Sequence, residues 1–257
     1  AQSEACRALL LKTSLLLDQE GAAEGDERKR LSALAGFMTP ICKAYGSEVG
    51  FQACSTAMQV FGGYGYCKEY GVEQLVRDAR IACVYEGTNG IQAIDLLFRK
   101  VARDQGATLT AVLEQIGGFA AEHTGQADGR LDGELKILGE HVALTGKVAK
   151  VLGGRLAEQD LTGAALGATP FLTVVGNVVG AHLLLEQAFV AEAKLAELGA
   201  PGDAAERQTW AGEDEEKAFY VNKVETAKFF ANQLLPENHW RAAQCMSADR
   251  SAITAAL

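Results

Sequence analysis

Proline occurs only four times in 257 residues and tryptophan twice, and aromatic residues make up 7% of the chain. So few aromatics argue against a β-sandwich or barrel, whose strands draw on aromatic and β-branched side chains. Cysteine is present but unpatterned: Cys6, Cys42, Cys54, Cys67, Cys83 and Cys245 are never closer than twelve residues and form no C-x-x-C pair. That spacing gives no support to zinc or thioredoxin-type chemistry, and the thiols read as reduced and mostly buried. The four histidines, His123, His141, His182 and His239, have no second His, Cys or carboxylate at metal-ligand spacing. No metal is therefore expected, and His182 reads as a satisfied core histidine. Basic residues number 24 against 33 acidic ones and form no long cluster, which argues against nucleic-acid binding. No membrane span is expected either. The most apolar run, 170–189, is interrupted by Asn177, His182 and Glu186 and reads as the central helix of a soluble bundle. The chain opens AQSEACRALLLKTSLLLDQ, with neither Met nor signal peptide and already in helical rhythm, as a cut through a longer protein would.

What is abundant is alanine and leucine, 43 and 30 residues, both strong helix formers. Apolar residues at helical spacing predict a helix over 2–19 and another over about 31–61, with Pro40 at a kink or break. The polar stretch 21–30 reads as a linker between them. FGGYGY (61–66) cannot be a helix interior, because three glycines in four positions carry too much backbone freedom. A shorter helix or two follows to about Val84, and 91–104 is helical, with Thr88 or Asn89 as its N-cap. Beyond about Gln105 the texture changes. Segments 108–124, 132–160, 170–199, 214–234 and 237–250 read as amphipathic helices, with 160–170 and 199–208 as linkers. The expected architecture is all-α, two helical bundles in contact, divided into 1–105 and 106–257.

One stretch is more specific. Gln59-Val60-Phe61-Gly62-Gly63-Tyr64-Gly65-Tyr66, then Val76-Arg77-Asp78-Ala79-Arg80, then Tyr85-Glu86-Gly87-Thr88 with Ile91-Gln92 occur in order within residues 59–92. Together they closely resemble the C-terminal, four-helix-bundle-like domain of the acyl-CoA dehydrogenases. Residues 1–43 fit the preceding helix and loop of that domain. Residues from about 108 resemble the extra helical domain of a longer bacterial branch, some of whose members act on methylthio-propionyl-CoA.

The resemblance implies a cytoplasmic bacterial flavoenzyme that oxidises the Cα–Cβ bond of an acyl-CoA, with FAD as hydride acceptor and an electron-transfer flavoprotein as the next acceptor. Glu86 matches the catalytic base. A carboxylate in a dry, apolar pocket is a stronger base than one in water, and such a pocket is expected around it. The backbone N–H of the same residue is implied to hydrogen-bond the thioester oxygen as part of an oxyanion hole, with Gly87 turning the chain there beside the substrate. Gln59, Gly62, Gly63 and Thr88 match FAD-contacting positions, and Arg99 falls one residue from a CoA-contacting arginine of some relatives. Arg77 and Arg80 read as salt-bridge partners of Asp78, Glu73 or Glu69. Asn89, Gly90 and Ala93 depart from the common Y-E-G-T-S-E/Q-I-Q-R run, which bears on the adenine-side contacts but not on the base. The family works as a homo-oligomer, a dimer or tetramer. Its other domains are not in this chain, so the segment alone is expected to be inactive. Alternatives are an acyl-CoA oxidase and a non-catalytic helical oligomerisation or interaction module.

Overall fold

The computed structural model describes residues 1–212, 214–247 and 249–255, and among them there are helices and turns but no strand. The α-helices are α1 (Gln2–Ala22), α2 (Gly25–Val60), α3 (Val72–Arg80), α4 (Asn89–Ile94) and α5 (Ala107–His123), followed by α6 (Asp132–Ala157), α7 (Leu161–Glu197), α8 (Ala204–Ala211), α9 (Glu215–Phe229), α10 (Asn238–Met246) and α11 (Ser251–Thr254). Short 3₁₀ turns cover Gly62–Tyr66, Lys68–Tyr70 and Ile81–Cys83, and α4 runs on into a π-helical stretch, Asp95–Val101.

Several sequence expectations need correction. The supposed linker 21–30 is almost all helix: α1 ends at Ala22 and α2 begins at Gly25, so two residues fold one helix back on the other. Its charges are local pairs on the exposed face of α2, Lys29 to Asp26 and Arg30 to Glu27. The α2 helix also continues unbroken through the buried Pro40. The carbonyl that the proline leaves without its helical donor is that of Gly36, four residues earlier.

The largest change is at 160–170, which is the first part of α7 and not a linker. Asp160 caps the helix by accepting a hydrogen bond from the Gly163 amide at 2.9 Å. The small residues that read as punctuation are contact points instead: Ala164, Gly167 and Ala168 are buried, and a Cβ on Gly167 would lie 2.6 Å from Leu152 Cδ2 of α6. Likewise 199–208 is only partly a linker, because Asp203 caps α8 from Ala204. The helix α7 is the centre of the molecule, and 83% of its most apolar window is buried inside the protein.

Residues on both sides of 105 contribute to one continuous apolar cluster, including Leu9, Phe37 and Ile41 with Phe171, Val178 and Leu184. The polar groups that enter it are mostly paired. Glu192 is buried on α7 between Arg207, at 2.7 and 3.0 Å, and Arg130, at 2.9 Å. Burial alone would push its carboxyl upward, but the two guanidinium groups hold it below the ordinary carboxylate value. The histidines depart from expectation, since His141 and His182 are buried with Nδ1 unpartnered. The cysteines are unbridged; Cys83 and Cys245 are buried, Cys6, Cys42 and Cys54 half-buried, and Cys67 exposed.

A buried polar chain locks α2 to α7 and α10. The Tyr45 ring lies on Gly176, where a Cβ would come within 2.8 Å of Cδ2. Its hydroxyl, held protonated by burial, donates to Asn177 Oδ1 at 2.9 Å. Asn177 Nδ2 donates to Asn238 Oδ1 at 2.8 Å, and Asn238 Nδ2 to the Val174 carbonyl at 3.0 Å. Every buried amide in the chain is thereby used. Gly176→Ala is expected to lower unfolding free energy by about 1–3 kcal/mol through overpacking. Tyr45→Phe should lower it by about 1–3 kcal/mol by leaving Asn177 Oδ1 buried and unpaired. Urea unfolding of both variants at the wild-type midpoint would overturn the lock if neither midpoint fell.

Candidate active site

Residues 81–92 make one tight turn into α4. Glu86 takes a left-handed conformation, φ +54°, and Gly87 follows at φ +88°. Left-handed backbone is strained for glutamate and natural for glycine, so something must hold the pair. Thr88 caps α4, its hydroxyl accepting from the Ile91 amide at 3.2 Å. Gln92 reaches back and donates from Nε2 to the Glu86 carbonyl at 3.3 Å. A Cβ on Gly87 would sit 2.7 Å from that same Nε2, so only glycine leaves room for the Gln92 clasp. With its carbonyl engaged, the Glu86 amide donates to no group among the described residues.

The turn is anchored from outside by Asn89, the first residue of α4. Its Oδ1 accepts from Ser47 Oγ at 2.9 Å and Lys43 Nζ at 3.1 Å, and its Nδ2 donates to Glu48 Oε2 at 3.2 Å. All three partners lie on α2. The sequence treats Asn89 as a departure from a family pattern; the fold makes it the clamp between the turn and the longest helix of residues 1–105. Nothing local signals this, since its partners are more than forty residues away.

The second cluster sits where α2 ends. Gln59 is exposed on its last turn, and Gly62 and Gly63 are exposed in the 3₁₀ turn that follows. Gly62 has φ +61°, which favours glycine. Gly63 has an ordinary backbone, and a Cβ there would meet nothing within 4 Å. Within the chain, then, nothing demands glycine at 63. Gly65, which carried no role in the sequence reading, is buried, and a Cβ there would collide with the Met58 carbonyl.

Both clusters therefore hang from α2, one at its end and one clamped to its side. Arg99 does not join them: it is exposed and paired with Asp95 at 3.2 Å on its own helix. Arg77 pairs with Glu73 at 3.1 Å, as expected. Arg80 instead reaches Glu48 at 4.0 Å and lies over the Phe51 ring at 4.7 Å. The dry pocket expected around Glu86 is not built by the described residues, for Glu86 is exposed. Around it in sequence, Ile81, Val84, Tyr85 and Ile91 are exposed as well, as are Phe61, Tyr64, Tyr66 and Leu75 near the glycine turn. Exposed apolar side chains at this density mark a surface that something else covers. No group of three or more His, Cys, Asp or Glu among the described residues could hold a metal ion.

A family model described as "Acyl-CoA dehydrogenase, C-terminal domain" matches residues 1–100, and one described as "Acetyl-CoA dehydrogenase C-terminal like" matches residues 112–256. A broad-specificity linear acyl-CoA dehydrogenase of Mycobacterium tuberculosis is 37% identical over 92% of this chain and 37% of its own length. A 3-methylmercaptopropionyl-CoA dehydrogenase of Ruegeria pomeroyi is 33% identical over 100% of this chain and 41% of its own length. Among solved structures, ACDH-11 of Caenorhabditis elegans in complex with C11-CoA superposes with a TM-score of 0.66 at 18% identity, over 97% of this chain and 37% of that one. An acyl-CoA dehydrogenase complexed with FAD from Bacillus anthracis gives 0.54 at 17% identity, over 96% of this chain and 44% of that one. The chain thus spans about two fifths of the length of the curated relatives it matches, and it belongs to the acyl-CoA dehydrogenase family through the C-terminal domains that cover it almost end to end.

Proposed function

We propose that this segment works as the C-terminal part of a flavin-dependent acyl-CoA dehydrogenase, supplying the catalytic base and one edge of the cofactor site. Residues 1–105 would form the family's C-terminal helical domain and 106–257 the additional helical domain of its long members. The observation that carries the reading is the Glu86 turn. Its carbonyl is engaged by Gln92, its amide has no acceptor, and its carboxylate is free of any ion pair among the described residues. One residue can then present both a base and a hydrogen-bond donor to a single thioester.

An α-proton beside a thioester is weakly acidic, so its removal needs the carbonyl polarised as the proton leaves. The Glu86 N–H would donate to the thioester oxygen, where negative charge develops, and the Glu86 carboxylate would take the proton. Bound FAD would accept the hydride from Cβ. The residues present fit one side of that group: exposed Gln59, Gly62 with its left-handed backbone, Gly63 with open space before it, and the Thr88 hydroxyl at the head of α4. Backbone amides at glycines can approach a phosphate or ribose that a side chain would hold off. The exposed apolar residues beside both turns would close the site when the rest of the enzyme, or a second subunit, covers them and excludes water. On this reading the product is an enoyl-CoA, the next electron acceptor is an electron-transfer flavoprotein, and the enzyme works as a homo-oligomer in the bacterial cytoplasm.

Three outcomes test this reading in the FAD-loaded enzyme. Glu86→Gln should slow anaerobic flavin bleaching by an acyl-CoA by ~10²–10⁴-fold, the usual contribution of a positioned base; bleaching at the wild-type rate would remove Glu86 from the reaction. Gly63→Ala should leave the melting temperature unchanged, because its Cβ meets nothing, yet weaken FAD retention on dilution. If the variant holds FAD as the wild type does, Gly63 does not face the cofactor. Asn89→Ala should reduce kcat by about 10-fold with little change in KM, since small misplacements of a reacting group are costly, and should speed amide exchange at 86–88. Unchanged exchange there would show that the clamp does not hold the turn.

A further inference from the structure

We propose that Glu48 is a positioning residue for the reaction inferred above: one carboxylate on α2 pins both ends of the segment that carries Glu86. Its effect on turnover rests on the dehydrogenase reading, and its effect on the turn rests on geometry alone. The segment runs from 81 to 88, between α3 and α4. Within it only Cys83 is buried, so a strained, left-handed glutamate sits in a stretch with few packing contacts of its own to hold it. The residue just before the segment is Arg80 and the residue just after it is Asn89. Both reach Glu48. Its Oε2 accepts from Asn89 Nδ2 at 3.2 Å, and its Oε1 stands 4.0 Å from Arg80 Nη1. Each carboxylate oxygen thus serves one end of the turn.

The rest of the fixture lies beside Glu48 on the same helix. Lys43, Ser47, Glu48 and Phe51 follow one another at helical spacing on α2. Lys43 and Ser47 donate to Asn89 Oδ1 at 3.1 and 2.9 Å. The Asn89 amide is therefore interposed between an ammonium at its oxygen and a carboxylate at its nitrogen. Both charges polarise it in the same sense, which strengthens both hydrogen bonds. At the other end the ion pair to Arg80 is long and half-exposed, and such a pair is weak in isolation. It does not act in isolation, because the Arg80 guanidinium also lies 4.7 Å from the centre of the Phe51 ring, one turn beyond Glu48. With both ends attached to neighbouring turns of one helix, the segment loses freedom that a stretch tethered at one end would keep. Glu48 acts through Arg80 and Asn89, and the orientation it fixes is that of the Glu86 turn between them.

Residue-resolved hydrogen exchange in the FAD-loaded, substrate-free enzyme tests the two ends separately, because each has its own protected amides. Val84 and Tyr85 donate to the Ile81 carbonyl at 2.9 and 3.2 Å. Gln92 donates to the Thr88 carbonyl at 3.0 Å and Ile91 to the Thr88 hydroxyl at 3.2 Å. Glu48→Ala, at a half-exposed position where substitution is tolerated, is expected to speed exchange at least about threefold at both pairs. Arg80→Ala should speed it at Val84 and Tyr85 alone, and Asn89→Ala at Ile91 and Gln92 alone. Glu48→Gln keeps an acceptor for Asn89 but loses the charge facing Arg80, so it should restore wild-type exchange at Ile91 and Gln92 and not at Val84 and Tyr85. In turnover, Glu48→Ala should lower kcat about tenfold and leave KM within about twofold, as misplacement of a reacting group does. Faster exchange on one side only in Glu48→Ala, or wild-type kcat in that variant, would overturn the proposal. Exchange is read without turnover, so a failed bracket is distinguishable from flavin bleaching at the wild-type rate in Glu86→Gln, which would remove the base and leave the bracket standing.

Discussion

The contact on which the architecture depends is a tyrosine ring lying against a glycine. Gly176, midway along the central helix, has no side chain, so α2 can approach until the Tyr45 ring touches the α7 backbone. At that distance the hydroxyl reaches Asn177 and starts a buried hydrogen-bond chain that ends on α10. The arrangement is unforgiving in both directions. A larger residue at 176 would push the ring out, and a lost hydroxyl would leave an amide oxygen buried without a donor. Polar groups in a core constrain geometry in a way that methyl groups cannot, because they reward one alignment and penalise the rest.

What α2 gains in position it passes to the site. Ser47, Lys43 and Glu48 follow or precede Tyr45 by one turn or less, and they hold Asn89. Asn89 fixes the start of α4, Thr88 caps that helix, and Gln92 from its next turn ties down the strained Glu86 carbonyl. The left-handed conformation of Glu86 costs on the order of 1–3 kcal/mol, and this set of bonds is what over-determines it. The second helical segment therefore takes part in the site without contributing a residue to it: α7 and α10 hold α2, and α2 holds the turn.

Much of this was legible from residue order. The helical class followed from alanine, leucine and scarce proline, and the turn at Thr88 from a capping residue before an apolar run. Gly62 and Gly87 were recognisable as turn glycines because φ above zero is a local demand. Other features had no local signature. The glycines and alanines of 160–170 look like a linker, and they are a close-packed helix because Leu152 and Cys245 lie against Gly167. Small residues mean freedom in isolation and proximity in a core. Asn89 looked like a deviation because its three partners are on another helix. The resemblance implied a dry pocket around Glu86, yet among the described residues Glu86 and its apolar neighbours Ile81, Val84, Tyr85 and Ile91 are exposed.

By itself the sequence determined what depends on neighbours a few residues apart: helix content, caps, the glycine turns and the three ordered motifs that mark the family. The tertiary structure alone decided which helix is central, which asparagine holds the Glu86 turn, and which glycine is obligatory for packing and which stands open. The physical reason is the range of the interactions. Backbone propensity and capping act within a turn of helix, whereas burial and hydrogen-bond satisfaction are set by residues that meet only after the chain has packed.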